Sequence, residues 1–470
     1  MPLDRVWDAN PELRAEAETE RERHRAARLE VADARPPEFS DEALALQFSA
    51  RHADELRYVA AWSRWMEWRI AHWREDDTLS VFDRSRAVCR ANSARLTEPK
   101  AAKLAAAVAS AKTVAAIVSL ARSDRRHAAT VDQWDADDEA LNTPNGIIDL
   151  RAGALGPHRR NAYCTKITGA APGGECPIWS EFLDRIFASD RELIAYLQRV
   201  AGYTLTGSTS EHVLFFGHGT GANGKSVLIR TLSGILGDYA TTAPMETFTA
   251  TAQERHPTDL AGLRGARLVT AVETEQGRRW AESKIKALTG GDRISARFMR
   301  QDFFEFVPQF KLLIAGNHKP GLRGVDEAIR RRLHLTPFGV TIPESERDRD
   351  LGDKLQAEWP GILAWAIEGC REWQRAGLAP PTAVREATDK YLAAEDSIAQ
   401  WVAECCVEDH AYAERSSALF KSWKAWAEAA SEPAGPQKRF SQTLGDRGFQ
   451  CEHRMDGNYI KGLALRLALV

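Results

Sequence analysis

The residues with the clearest chemistry are Gly219, Gly224, Lys225 and Ser226, spaced GxxxxGKS inside VLFFGHGTGANGKSVLIRTL. An apolar run precedes them and a helical pattern follows, so the segment predicts a strand, a tight loop and a helix start. In that setting the backbone N–H groups of Gly219, Thr220, Gly221, Ala222, Asn223 and Gly224 can turn inward around phosphates. Lys225 then reaches the β- and γ-phosphates, and the Ser226 hydroxyl can ligate magnesium. A glycine-rich turn with an incidental lysine is the plainer reading, and the order strand, loop, helix argues against it. The pattern predicts ATP as ligand and Mg2+ as cofactor.

Three further groups follow along the chain. The run ARLVTAVETE ends in Glu273 and Glu275; one carboxylate can hold magnesium through water while the other polarises an attacking water. Glu273 is grouped with Ser226 as a metal-side candidate, although the division of roles between the two acids stays open. FKLLIAGNHKP ends a third apolar run in Asn317, whose amide can orient water or touch the γ-phosphate; a turn-forming Asn after a strand is the ordinary alternative. DEAIRRRLHLTPF brings Arg330, Arg331 and Arg332 just ahead of another apolar run. Such guanidinium groups can act across a subunit boundary on a neighbour's γ-phosphate, whereas a solvated or salt-bridged face is the common reading of three arginines in a row.

These groups need a scaffold. At 470 residues, 44% hydrophobic and 27% charged, the chain exceeds what one core usually holds, and several domains are expected. Short apolar runs alternating with helical or charged stretches from Val213 to Phe338 predict an α/β sheet buried on both faces. Residues 1–40 read as a charged arm and 41–175 as an α+β domain. In that domain Trp62, Trp65, Trp68 and Trp73 fit either a helical face or short strands, and Asn145-Gly146 and Ala152-Gly153 punctuate hairpin-like runs. Large aromatics of this kind are expected in a core rather than as a stacking platform for bases. The cluster AAPGGECP reads as a linker; residues 176–375 form the central α/β domain, and 376–470 a small C-terminal domain, helical by pattern until a glycine-punctuated end.

Composition limits the partners. Seven cysteines without paired spacing suggest reduced thiols rather than a zinc site or disulfides. No window has the length of apolar chain a membrane span needs, which makes a soluble, cytoplasmic protein the expectation. A formal net charge of -3 excludes a uniformly basic nucleic-acid coat but not a local basic channel.

Taken in order, GTGANGKS, VETEQGRRW, KIKALTGGDRISARFMRQDFFEFVPQFKLLIAGNHKP and DEAIRRRLHLTPF resemble a superfamily 3 helicase. They are most similar to the helicase portion of the phage and plasmid primase-helicases, relatives of the poxvirus primase-helicase. The resemblance implies an AAA+ type P-loop ATPase core working as a ring, often a hexamer, around single-stranded or forked DNA, with ATP between subunits. It implies that Lys225 and Ser226 hold ATP and magnesium, that Glu273 and Glu275 are the Walker B acids, that Asn317 is the sensor and that Arg331 or Arg332 is the finger. The family often has an aromatic before its arginine pair, where this chain has Arg330, so the finger's register stays open. DRISARF and FFEFVPQF read as two strands with a tip near Met299 to Asp302, a hairpin that in the family enters the channel; Arg297 and Arg300 would meet phosphates there. Near the C-terminus the outline is that of a winged-helix domain, with Lys438, Arg439 and Arg447 as candidate DNA contacts. Residues 1–175 lack the paired acidic motif of the family's primase domain, so a helicase without primer synthesis is expected, with a separate primase as a candidate partner. The alternatives are an AAA+ ATPase that remodels protein or loads a factor, and a nucleotide-switched DNA-binding scaffold.

Overall fold

A strand covered on both faces has no polar side to alternate with, and the runs LFFGH, LVTAVE, KLLIAG and LHLTP are built that way. In the computed structural model, which describes residues 19–20, 35–250, 258–273, 277–300, 302–322, 325–430 and 434–466, they pair in one parallel sheet. The chain divides into two units, one within residues 1–136 with 160–165 and the other within 137–159 with 166–470. The charged arm expected over residues 1–40 falls mostly outside the described residues.

The first unit contains α1 (Asp41–His52), an antiparallel meander of β1 (Leu56–Val59), β2 (Arg64–Trp68) and β3 (Trp73–Glu75), then α2 (Ser80–Ser93), α3 (Ala102–Val108) and α4 (Ala111–Ala121). Ser40 and Ser110 start α1 and α4 by accepting from the backbone N–H of Ala43 and Thr113. The tryptophan-rich stretch resolves into strands. Trp65 and Trp73 are buried, and Trp62 and Trp68 pack around the Trp73 and Trp134 cluster, so these rings are core.

The second unit opens with the antiparallel strands β4 (Ala140–Thr143), β5 (Gly146–Asp149) and β6 (Ala154–Gly156). Thr143 faces Gly146, so Pro144-Asn145 forms the two-residue turn and Gly146 is already strand. Sequence reading groups these strands with the first domain, and their bonds show why they cluster with the second. The buried Arg267 guanidinium donates to the carbonyls of Leu205, Asp137 and Ala140, and Asn142 N donates to the Tyr239 hydroxyl.

Next come α5 (Pro177–Ile186), α6 (Arg191–Leu205), β7 (Leu214–His218), α7 (Lys225–Leu236), β8 (Ala240–Thr242), α8 (Thr258–Ala261), β9 (Leu268–Glu273) and α9 (Glu282–Gly290). The hairpin β10 (Ile294–Ala296) and β11 (Phe304–Phe306), then β12 (Lys311–Gly316), α10 (Glu327–Arg330) and β13 (Leu333–Pro337) complete the region. The sheet order is β13-β7-β12-β9-β8, every pair parallel. Because strand side chains alternate, Phe215, Leu313 and Ala315 join a core with Phe182, Tyr196, Val200 and Leu232 from α5, α6 and α7. Leu214, Phe216, Leu312 and Ile314 join the opposite core with Trp280, Ile285 and Leu288. Full burial of each such side chain stabilises by about 1.5–3 kcal/mol.

Helices α11 (Leu351–Ala357), α12 (Trp359–Ala376) and α13 (Thr382–Ala394) follow. α13 covers the edge strand β13, where Thr388 Oγ1 accepts from Leu335 N at 2.9 Å. The C-terminal elements are α14 (Ser397–Cys405), β14 (Cys406–Arg415), α15 (Ser416–Ala429), α16 (Gln437–Asp446), β15 (Cys451–Arg454) and β16 (Gly457–Leu465). Their sheet, ordered β14-β16-β15, shares a core with Trp401, Leu419, Trp423 and Phe440. β14 stands where the sequence pattern reads helix; most of its residues are exposed, so no buried stripe marks it. Among the described residues no single helix is long and apolar enough to cross a bilayer.

Candidate functional site

The loop between β7 and α7 is made by its glycines. A Cβ on Gly219 would lie 2.5 Å from the Phe338 carbonyl oxygen, and one on Gly224 would lie 2.6 Å from Ile186 Cγ2. Gly221, Ala222 and Gly224 have φ of 109°, 47° and 82°, left-handed values that fold successive amides around one concavity. Gly224 is the N-cap of α7, and no side chain caps the helix there, so its first amides face outward with the positive end of the helix dipole. Thr220, Ala222 and Ser226 are exposed on that side. Gly219 N donates to Gly316 O at 3.3 Å and Ile342 N donates to Ala222 O at 2.7 Å, which ties the loop to its surroundings.

Lys225 is buried. Its ammonium donates to Gly219 O and Asn223 Oδ1, each at 2.8 Å, and Asn223 Nδ2 donates to Phe338 O at 3.4 Å. Burial lowers the Lys225 pKa. Thus the lysine is held within the concavity by groups of the loop itself.

Strand register brings the other candidates to the same edge. Gly316 at the end of β12 pairs with His218 of β7 on one side and Glu273 of β9 on the other, and Pro337 of β13 pairs with His218. The backbone of Glu273, the exposed Asn317 just past β12 and the glycine loop therefore all stand at the carboxyl ends of adjacent strands, where open α/β sheets bind ligands. Glu275 lies outside the described residues. His218, which sequence reading passed over, also stands here; burial, then the Lys319 and Lys225 charges, lower its pKa, against a hydrogen bond with the Asn317 backbone.

The arginines do not join this group. They precede β13, whose first residue Leu333 pairs with Leu214, the first of β7, so they stand at the opposite edge, roughly 13 Å of strand from His218. Arg330 pairs with Asp389 at 3.3 Å. Arg332 donates to Ala328 O at 2.9 Å, and burial followed by the Arg331 charge lowers its pKa. Arg331 is exposed.

The hairpin expected between the acidic strand and Asn317 is present: Ile294 pairs with Phe306 and Ala296 with Phe304. At its tip Phe298, Met299 and Phe303 are 42%, 71% and 59% exposed. Arg300 is exposed with φ of 61°, whereas the Arg297 guanidinium lies over the Phe303 ring, 4.8 Å from its centroid. In the C-terminal elements Lys438 and Arg439 are exposed at the start of α16. Arg447, a sequence candidate for DNA contact, is instead paired with Asp396, which caps α14 through Ala399 N.

Residues 45–188 match the family described as D5 N terminal like, and residues 217–332 match a family of unknown function. "Putative helicase 022R" of Frog virus 3 (isolate Goorha) is 28% identical over 52% of this chain and 27% of its own length. "Putative helicase L207/L206" of Acanthamoeba polyphaga mimivirus is 26% identical over 55% of this chain and 29% of its own. The chain thus spans less than a third of the length of these curated relatives. Among solved structures, the apo C-terminal region of NrS-1 aligns over 74% of each chain at 10% identity with a TM-score of 0.49.

Proposed function

Since the chain belongs to the D5-like primase-helicase family, we propose that it is an ATP-hydrolysing DNA helicase or translocase of a viral or other mobile genetic element. In this reading the parallel sheet is a P-loop core of AAA+ type. The observation that carries the proposal is the register at the carboxyl ends of β7, β9 and β12, which sets the loop of Lys225, the end of the acidic strand and Asn317 side by side.

The residues present fit a nucleoside triphosphate. The positive-φ stretch and the uncapped start of α7 offer N–H donors to phosphate oxygens, and Lys225 exchanges its Gly219 and Asn223 partners for the β- and γ-phosphates. Ser226 and Glu273 would hold Mg2+, which when bound would neutralise phosphate charge. A second carboxylate, Glu275, orients the attacking water, and Asn317 fixes it against the γ-phosphorus, so that water adds as the bond to ADP breaks. Arg331 is delivered by a neighbouring copy in a ring, since its own sheet holds it at the far edge from Lys225.

DNA would be met at two places. The hairpin tip carries Arg300 outward, with Arg297 behind it, and α16 exposes Lys438 and Arg439. The C-terminal order of helix, strand, two helices and two strands supports a winged-helix reading, in which α16 is the recognition helix.

The deciding experiment is ATP hydrolysis by wild type and Lys225→Ala, with and without single-stranded DNA, followed by strand displacement on a forked duplex. DNA-stimulated turnover and an opened fork are expected, with both abolished in Lys225→Ala. Turnover indifferent to DNA, with no strand displaced, would replace the helicase with an ATPase that remodels protein.

A further inference from the structure

Helix α13 lies outside every motif, yet it bonds to segments downstream of both strands that carry the proposed catalytic groups. Trp280, downstream of Glu273, donates its indole N–H to the Tyr391 hydroxyl at 3.0 Å. That hydroxyl in turn donates to the carbonyl of Pro320, in the segment that follows Asn317. The same two segments are joined by backbone bonds, Gly321 N to Arg278 O at 2.8 Å and Trp280 N to Gly321 O at 2.9 Å. One turn on, Glu395 accepts from Leu322 N at 2.9 Å.

Trp280 and Tyr391 are each 2% exposed. Burial raises the Tyr391 pKa above its ordinary value, so the phenol stays neutral and uses both its donor and its acceptor capacity here. Removing the hydroxyl would leave a buried indole N–H and a buried carbonyl without this bridge, and each would seek a new partner by moving. The two segments that would shift are Arg278–Trp280 and Pro320–Gly321, which lie downstream of Glu273 and Asn317 along the chain. Small displacements of positioned groups are costly to a reaction that depends on placement rather than on covalent chemistry.

We propose that Tyr391 is a positioning residue for ATP hydrolysis, its hydroxyl adding a side-chain bridge to the backbone bonds that join the Arg278–Trp280 segment, downstream of the acidic strand, to the Pro320–Gly321 segment, downstream of Asn317. The inference rests on the ATPase reading of the site.

The test uses the full chain as wild type, Tyr391→Phe, Trp280→Phe, the double variant and Lys225→Ala. It measures steady-state ATP hydrolysis, the Kd of a fluorescent ATP analogue, and thermal unfolding. Each single Phe variant should lose about tenfold in kcat while KM and the analogue Kd stay within about twofold, and the double variant should be no slower than the slower single one. A merely structural hydroxyl would lower Tm without that split, so a kcat within twofold of wild type in Tyr391→Phe overturns the proposal. Wild type without ATP turnover, or Lys225→Ala as fast as wild type, would instead overturn the ATPase reading on which it rests.

Discussion

Lys225 and His334 are both bases that burial makes reluctant to hold a proton, and the consequence differs with what surrounds them. Lys225 has carbonyl and amide oxygens as partners, which favour its charged form. His334 shares a hydrogen bond of 2.8 Å with the Tyr196 hydroxyl, and burial pulls its pKa from 6.5 to about 4. In the first unit His127, bonded through Nδ1 to the Leu56 carbonyl oxygen, is shifted in the same direction, by burial above all. Between pH 6.5 and 4 the unfolded chain therefore binds protons that the folded chain refuses. Stability is complete above pH 6.5 and is lost as pH falls, by up to ~3 kcal/mol for His334. Thermal unfolding followed from pH 7.5 to 4.5 should show Tm declining through this interval, and His334→Gln should flatten the decline. An identical slope in the variant would exclude His334 as its source.

The hairpin β10–β11 shows an element anchored at one end and presented at the other. Ile294, Ala296 and Phe306 are buried at its base, while the tip holds exposed apolar rings and Arg300. If that tip tracks a DNA backbone, Arg300→Ala should weaken single-strand binding in anisotropy titrations, lower the slope of log affinity against log salt by about 0.7, and raise the ATP used per base pair opened. Unchanged unwinding by Arg300→Ala would remove the tip from DNA. The hairpin was readable in the sequence because DRISARF and FFEFVPQF read as two strands joined by a tip near Met299 to Asp302, and the central strands because burial on both faces leaves unbroken runs. β14 was not, since its exposed residues Glu408, Asp409 and His410 lie in an edge strand whose pairing comes from the distant β16. The loop of Lys225 was legible from its spacing together with the strand before it and the helix after it, as local backbone geometry demands those glycines. The role of Tyr391 was not: its partners Trp280 and Pro320 are far away along the chain, and only the packed fold sets them on one hydroxyl. The commitment of Arg330 and Arg447 to Asp389 and Asp396 was hidden for the same reason.

At the scale of the whole molecule, the parallel sheet has two ends with different chemistry. Lys225 and Asn317 stand at its carboxyl end, while the arginines precede β13 at the other, separated by a length of strand that no side chain spans. Of the three, Arg330 is held by Asp389 and Arg332 is tucked against Ala328, which leaves the exposed Arg331 as the one able to reach a neighbouring copy. In the proposed ring, a complete site would require two copies, each giving one end of its sheet. Lys225→Ala and Arg331→Ala should each abolish turnover when assayed alone, Arg331→Ala through loss of transition-state charge stabilisation worth about a thousandfold or more. Mixed in equal amounts and allowed to reassemble, the two inactive proteins should regain about a quarter of wild-type ATP hydrolysis per site, because one interface in four pairs an intact lysine with an intact arginine. A mixture no more active than its parents would give Arg331 a role within its own copy, and wild-type turnover by Arg331→Ala would remove it from the chemistry altogether.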